Sequence, residues 1–249
     1  MLSCFTVRTG FTLLASFMVT AAHAYEAKDC EQEESNVTAL RACTAILEAG
    51  NLDEVTRERY RVRRGYAWLA DDDGGDAAVQ DFTLALRSAP ANVKALRGRA
   101  KAYTLLGQHD KAAVDWSAIL ATNPQAKDAE AALMARGSSH LAAGQHEAAL
   151  ADYGKALELN PASEKARIGR ASVFAALNDR ANVLKEYDLA HAINGGSYDF
   201  YISRAQMAET WGETQSSIDN YQAALKIDPR RAWVARKSLK RLGIDSPSE

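Results

Sequence analysis

At 249 residues the chain is long enough for one or two compact domains, and its 47% apolar content can supply a continuous core. A net charge of −2 argues against wholesale binding to nucleic acid. No proline-rich or Gly/Ser-rich linker divides the sequence.

Residues 1–24 read as a secretory leader. Residues 1–8 carry one basic side chain, Arg8, and residues 10–22 are largely apolar. Ala22-His23-Ala24 then fits the small-x-small rule, so cleavage is expected between Ala24 and Tyr25. The apolar run is too short for a conventional transmembrane helix, an uncleaved anchor being the alternative. A lipoprotein is disfavoured, because the charged approach Ala27-Lys28-Asp29 precedes Cys30. Nothing else is expected to span a membrane. The protein is therefore expected to be periplasmic or secreted.

Loss of the leader removes Cys4 and leaves Cys30 and Cys43. An even pair in an exported chain reads as a disulfide. Ser35 or Asn36 caps a helix that carries Cys43 about two turns in, and the segment between Cys30 and Asn36 is long enough to fold back over that distance. Closing such a loop stabilises by roughly 3 kcal/mol. The C-x-x-C spacing of a redox-active pair is missing. Asn36-Val37-Thr38 is a glycosylation sequon, meaningful only in a eukaryotic secretory pathway.

Further along, the chain becomes self-similar. Arg97-Gly98, Ala100, Tyr103, Gly107, Ala112, Trp116 and Pro124 are matched about 37 residues later by Arg136-Gly137, His140, Gly144, Ala149, Tyr153 and Pro161. Steps of about 34 continue the frame through Asn178, Tyr187, Ala190 and Gly195, then Gly212, Tyr221, Ala224 and Pro229. Upstream, Arg64-Gly65-Tyr66-Ala67-Trp68 with Ala78, Phe82, Ala85 and Pro90 form another unit, with about one inserted residue at its turn. Such periods signal stacked helical hairpins. Small residues let the two helices approach, while Phe82, Trp116, Tyr153, Tyr187 and Tyr221 fill the wedge between hairpins. Gly107 and Gly144 reverse the chain, and Pro124, Pro161 and Pro229 stop the second helix. No segment alternates with the period of a strand, so the class is all-α.

The pattern resembles the tetratricopeptide repeat (TPR) family over residues 60–229, most closely at residues 131–161, where Leu133, Gly137, Gly144, His146, Ala149, Tyr153, Ala156 and Pro161 fall in place. The resemblance implies a right-handed superhelical solenoid of antiparallel helix pairs, A and B, with a terminal capping helix. The organisation expected is a leader at 1–24, a half-repeat cap at 25–53 and an array at 54–229, then a capping helix at 230–243 and a tail at 244–249. The array divides into units at about 56–90, 91–124, 128–161, 163–195 and 197–229. In the cap, residues 38–49 look like a lone helix B, with Ala39, Cys43 and Ile46 in the Ala, aromatic and Ala positions. The helix at 230–242 carries Arg230, Arg231, Arg236, Lys237, Lys240 and Arg241 around an apolar stripe of Ala232, Ala235, Leu239 and Leu242. It reads as the polar-faced cap a solenoid needs, and also as a surface for weak contact with an anionic membrane.

Catalytic and metal-binding patterns do not assemble. His109 and His146 share one repeat position and His140 takes the Tyr place of helix A, so all three read as packing residues. Gly154-Lys155 lacks the upstream glycine of a phosphate loop, and Arg136-Gly137-Ser138-Ser139-His140 lacks the second glycine of a nucleophile elbow. The cluster Asp71-Asp72-Asp73-Gly74-Gly75-Asp76 lacks the glycine and bidentate glutamate of a calcium loop and reads as a turn, with Asp76 near the next N-cap. No cofactor, metal or enzymatic activity is expected.

Members of the resembled family hold peptides on the concave helix-A face. Carried onto this chain, the frame offers Arg59, Arg63 and Tyr66, then Lys94, Arg97 and Lys101, then Met134, Ser138 and Leu141, then Ile168 with Ser172, and Ile202 with Gln206. The groove expected grades from basic and aromatic to apolar. Adaptors that clamp chaperone C-termini use Asn where Gly98, Ala135 and Gly169 stand here, so that clamp is not supported. The expected function is a non-catalytic scaffold or chaperone-like adaptor of the cell envelope that binds a peptide or helix of a protein partner. A peripheral membrane-associated protein using the basic C-terminal helix is the alternative.

Overall fold

Helix boundaries in this chain follow from a few capping side chains and left-handed turns. Asp53, Asn92, Ser163 and Ser197 each accept a hydrogen bond from the backbone N–H three residues on, at 2.8 to 3.4 Å. The helices begun at Asn92, Ser163 and Ser197, and one further helix, end on a residue with positive φ: Gly107 (69°), Gly144 (75°), Asn178 (58°) and Gly212 (72°). The next N–H closes each turn, Gln108 onto the Tyr103 carbonyl, Gln145 onto His140, Asp179 onto Phe174 and Glu213 onto Ala208, all at 2.8 to 2.9 Å. Asn178 serves where a glycine is the usual choice because a short polar side chain tolerates the left-handed region.

The computed structural model describes residues 29–30, 36–71 and 73–244. The leader with its Ala24–Tyr25 junction, Ser35, Asp72 and the tail from residue 245 lie outside the described residues. Twelve α-helices are present among the described residues, and no strand. The chain divides between Thr122 and Asn123 into two compact units, at the place where the repeat step lengthens. The first holds α1 (Asn36–Glu48), α2 (Glu54–Trp68), α3 (Gly75–Ser88), α4 (Val93–Leu105) and α5 (His109–Ala121). The second holds α6 (Ala126–Ala142), α7 (His146–Leu159), α8 (Glu164–Ala176), α9 (Arg180–Asn194), α10 (Tyr198–Thr210), α11 (Thr214–Ile227) and α12 (Trp233–Arg241). Consecutive helices pair as A and B: α2 with α3, α4 with α5, α6 with α7, α8 with α9, α10 with α11. Helix α1 packs on α2, and α12 on α11.

Alanines at the helix crossings are sealed, among them Ala78, Ala85, Ala112, Ala149, Ala156, Ala171, Ala190 and Ala224. The helix-B aromatics Phe82, Trp116, Tyr153, Tyr187 and Tyr221 are all buried. Their fit is tight enough to dictate glycine nearby. A Cβ on Gly98 would meet Phe82 at 2.3 Å, and one on Gly169 would meet Tyr153 at 2.3 Å. An asparagine at either position would collide with the ring, which accounts for the missing clamp.

A buried ion pair ties helix A to helix B inside four repeats. Arg64 donates to Asp81 at 2.7 and 2.8 Å, Arg99 to Asp115 at 2.8 and 2.7 Å, and Arg136 to Asp152 at 2.8 and 2.6 Å. Arg170 donates to Glu186 at 2.7 Å. These forks hold the Arg64, Arg99 and Arg136 guanidiniums above their ordinary pKa. They also correct the sequence alignment. The arginine equivalent to Arg136 is Arg99, not Arg97, because only Arg99 reaches the acid that precedes the helix-B aromatic. In the fifth repeat that acid is replaced by Asn220.

Two local readings change. The basic C-terminal segment is not one helix from residue 230: Asp228 accepts hydrogen bonds from the Arg230 and Arg231 N–H groups, at 3.1 and 3.4 Å, and tightens Pro229–Arg231 into a 3-10 turn. His140 is more than a packing residue, with Nδ1 2.6 Å from Gln145 Oε1 and Nε2 3.8 Å from Asp152. No described helix is long and apolar enough to cross a membrane.

Candidate peptide-binding surface

Helix α2 is dense in arginine, and packing gives four of its five a place. Arg57 donates to the Leu52 carbonyl at 2.9 Å, Arg63 donates through Nε to the Cys30 carbonyl at 2.9 Å, and Arg64 is held by Asp81. Arg59 lies over the Tyr60 ring, 5.2 Å from its centroid. Tyr60 is buried with Cys30, Ala42 and Cys43, so α1 and the Cys30 segment grip one side of α2. The Cα atoms of Cys30 and Cys43 are 4.9 Å apart, and both side chains are sealed from solvent. This fixes α2 so that an adjoining face, sharing Tyr60 and Arg63 with the gripped side, stays open.

That face lines a cavity of about 710 Å³, within the range of ligand sites. Val55, Arg59, Val62, Arg63 and Tyr66 come from α2 at helical spacing, joined by Glu58 and the buried Tyr60, and Asn92 and Lys94 come from the start of α4. Tyr66 joins the two helices: its hydroxyl donates to the Lys94 carbonyl at 2.9 Å, and its ring meets Phe82 edge-on, centroids 5.2 Å apart. Burial pushes the Tyr66 phenol above its ordinary pKa against the pull of Arg97, so it stays a neutral donor. Arg59 and Lys94 are exposed, and Val55 is 77% exposed. The site can therefore offer cations and an apolar wall together.

Of the residues expected on the groove, Arg59, Arg63, Tyr66 and Lys94 are brought together here. Arg97 and Lys101 do not line the cavity. Arg97 is half-buried, near enough to bias the Tyr66 phenol, and Lys101 is exposed further along α4. Val55, Glu58, Tyr60, Val62 and Asn92 were not anticipated, although Val55 and Val62 flank Arg59 at the i−4 and i+3 spacing that would have found them.

In the second unit the corresponding residues serve the core. Met134 and Leu141 pack on Ala149, Tyr153 and Val173, Ile168 on the Tyr187 cluster, and Ile202 on the Tyr221 cluster. Ser138 is exposed, with a hydrogen bond to Tyr153. A second concavity, of about 490 Å³, lies elsewhere in this unit, and its acids are engaged within a repeat, as Glu130 is, or in fastening one repeat to the next. Glu130 accepts from Asn160 at 3.1 and 3.2 Å, and Glu164 from the Ser197 N–H at 3.1 Å. Arg231 donates to Asp199 at 2.6 Å. Glu58 of the first unit accepts from Asn92 in the same way.

Comparison with known proteins follows this geometry. Residues 130–163 and residues 198–231 each match a tetratricopeptide repeat family model. A thermophilic TPR protein of Thermus thermophilus aligns at 21% identity over 74% of this chain and 98% of its own, with a TM-score of 0.59. PilF of Pseudomonas aeruginosa aligns at 12% identity over 83% of this chain and 89% of its own, TM-score 0.56. A TPR protein of Parabacteroides merdae aligns at 18% identity over 92% of this chain and 98% of its own, TM-score 0.50. No curated protein matches the sequence. The fold is that of TPR proteins.

Proposed function

We propose that this protein is a non-catalytic scaffold or adaptor of the cell envelope, and that it captures an acidic segment of a partner protein in the α2/α4 cavity. TPR repeats generally mediate protein–protein interaction, and the repeats at 130–163 and 198–231 bring that expectation to this chain. The observation that carries the proposal is the joining of Arg59, Arg63 and Lys94 to Val55, Val62 and Tyr66 around one open cavity. Arginine grips a carboxylate through paired hydrogen bonds, lysine adds an unoriented charge, and the apolar wall receives the side chain beside the acid. Action after export is part of the reading, supported by the leader-like sequence and by Cys30 and Cys43 meeting in a sealed pocket, where we propose that they form a disulfide.

The double reversal Arg59→Glu/Lys94→Glu tests the site, because both side chains are exposed and neither is in the buried ion pairs. Screening the full chain against an immobilised library of acidic and neutral peptides should select acidic ones, with affinity falling as salt rises. The reversal should abolish that selection while leaving the helical circular dichroism unchanged. Unchanged selection by a folded reversal variant would place the binding surface elsewhere.

A further inference from the structure

Helix α12 has two opposite faces. Ala235 and Leu239 are sealed against the Tyr221 cluster, with Leu242 beside them, and Ala232 at the N-cap is buried as well. The positions rotated about half a turn away are Trp233, Lys237 and Lys240, at i, i+4 and i+7, and all three are exposed. Trp233 is 69% exposed, and it is the one aromatic among the exposed large apolar side chains of the described residues. Arg230, in the preceding turn, is exposed as well.

The neighbouring cations are engaged elsewhere. Arg231 is paired with Asp199 and lies 4.6 Å over the Tyr198 ring, and Arg241 donates to Glu209 at 2.5 Å. Among the described residues no acid pairs with Arg230, Lys237 or Lys240. The outer stripe is therefore a large indole flanked by cations that packing does not require.

We propose that this stripe docks the protein on an anionic bilayer surface. The indole has an apolar body and an N–H tip, which suits the headgroup layer, while lysine stems lie along apolar surface with their ammonium groups in water. The face is convex, the outside of a single helix. A deformable lipid surface accommodates such a face, whereas a rigid protein partner would need a matching groove. Negative headgroups complement the three cations, and one aromatic with three charges makes binding reversible.

The test is sedimentation of the full chain with vesicles of phosphatidylcholine alone and of equal parts phosphatidylcholine and phosphatidylglycerol. Partition should require phosphatidylglycerol and fall with salt. Trp233→Ser and Lys237→Glu/Lys240→Glu should each weaken it by roughly tenfold, and Trp233→Phe should retain most of it. The substitutions lie on the exposed face, and an unchanged circular dichroism spectrum verifies folding. Absence of binding to anionic vesicles, equal binding to neutral ones, or indifference to both variants would overturn the proposal. So would capture by soluble polyglutamate without capture by vesicles, which would assign the stripe to an acidic macromolecule.

Discussion

In the first unit the open face of α2 and the start of α4 turn Arg59, Lys94, Val55 and Tyr66 around a cavity, while in the second Met134, Ile168 and Ile202, which match Val62 and Arg97 in the register of the forks, half-bury themselves on neighbouring clusters. Inside the repeats the chemistry is shared. Both units use the Arg–acid fork, an aromatic seated against glycine, and an acid at the start of helix A that accepts from the next repeat, Glu58 in the first and Glu164 in the second. Positions that face the partner helix are dictated by packing and repeat faithfully. Positions that face outward are released from that constraint, and there the units diverge toward binding in one and core-edge packing in the other.

The sharpest way to break this comparison is at the ion pairs. Asp81→Ala and Asp152→Ala each leave a half-buried guanidinium without its carboxylate, a loss of about 3–5 kcal/mol. If the forks are one device, hydrogen exchange should speed up in α2 and α3 for the first variant and in α6 and α7 for the second, by similar factors. A large loss in one unit only would mean that the shared geometry hides different energetics.

The next effect in size belongs to the first unit alone. If the proposed bond between Cys30 and Cys43 forms, Cys30→Ser/Cys43→Ser should lower stability by roughly 3 kcal/mol, read as faster exchange in α1 and α2 with α6 to α11 unaffected. Free thiols in oxidised native protein would remove the premise.

These two predictions also mark what was legible in the sequence. The hairpins, their turns and the buried aromatics could be read because each rests on local chemistry: a left-handed residue, a cap, a ring every 34 or so residues. The ion pairs escaped notice because arginine and aspartate stand about 16 residues apart on different helices, a spacing with no local signature. The clue was present, an acid immediately before the aromatic in Asp81-Phe82, Asp115-Trp116, Asp152-Tyr153 and Glu186-Tyr187. Matching Arg97-Gly98 with Arg136-Gly137 concealed it by a two-residue slip. The cavity was half legible. A helical frame places Arg59, Arg63 and Tyr66 on one face, but only the packing of α2 against α4 adds Lys94 and leaves Lys101 outside.

A smaller effect tests whether the aromatic seats are equivalent. Gly98→Ala and Gly169→Ala place a methyl about where Phe82 or Tyr153 now sits, and each should cost about 1–3 kcal/mol despite the better helix propensity of alanine. Gly154→Ala, on α7 with nothing within 4 Å of the added carbon, should instead stabilise by roughly 0.5–1 kcal/mol. Thermal melts of the three variants give the signs directly. A stabilising Gly98→Ala would mean that Phe82 yields easily.

The smallest effect is a pH dependence carried by each unit through one cap. Hydrogen bonds from the Thr56 hydroxyl and N–H hold the Asp53 carboxyl below its ordinary pKa at the start of α2, and Asn182 does the same for Asp179 at the start of α9. A depressed folded pKa means that protonation favours the unfolded chain. The cap's contribution is complete above the ordinary carboxylate value of about 4, and it is lost as pH falls through the lower folded value. Asn accepts the same backbone hydrogen bond without titrating. Asp53→Asn and Asp179→Asn should therefore each lose less stability than the wild type on going from neutral to acid pH, by similar small amounts. Many other carboxylates titrate in that range, so the quantity to measure is the difference between wild type and variant in urea midpoint at each pH. Parallel curves for wild type and variant would show that the cap charge is not linked to folding, and parallel curves for one variant alone would separate the Thr56-bonded cap of the first unit from the Asn182-bonded cap of the second.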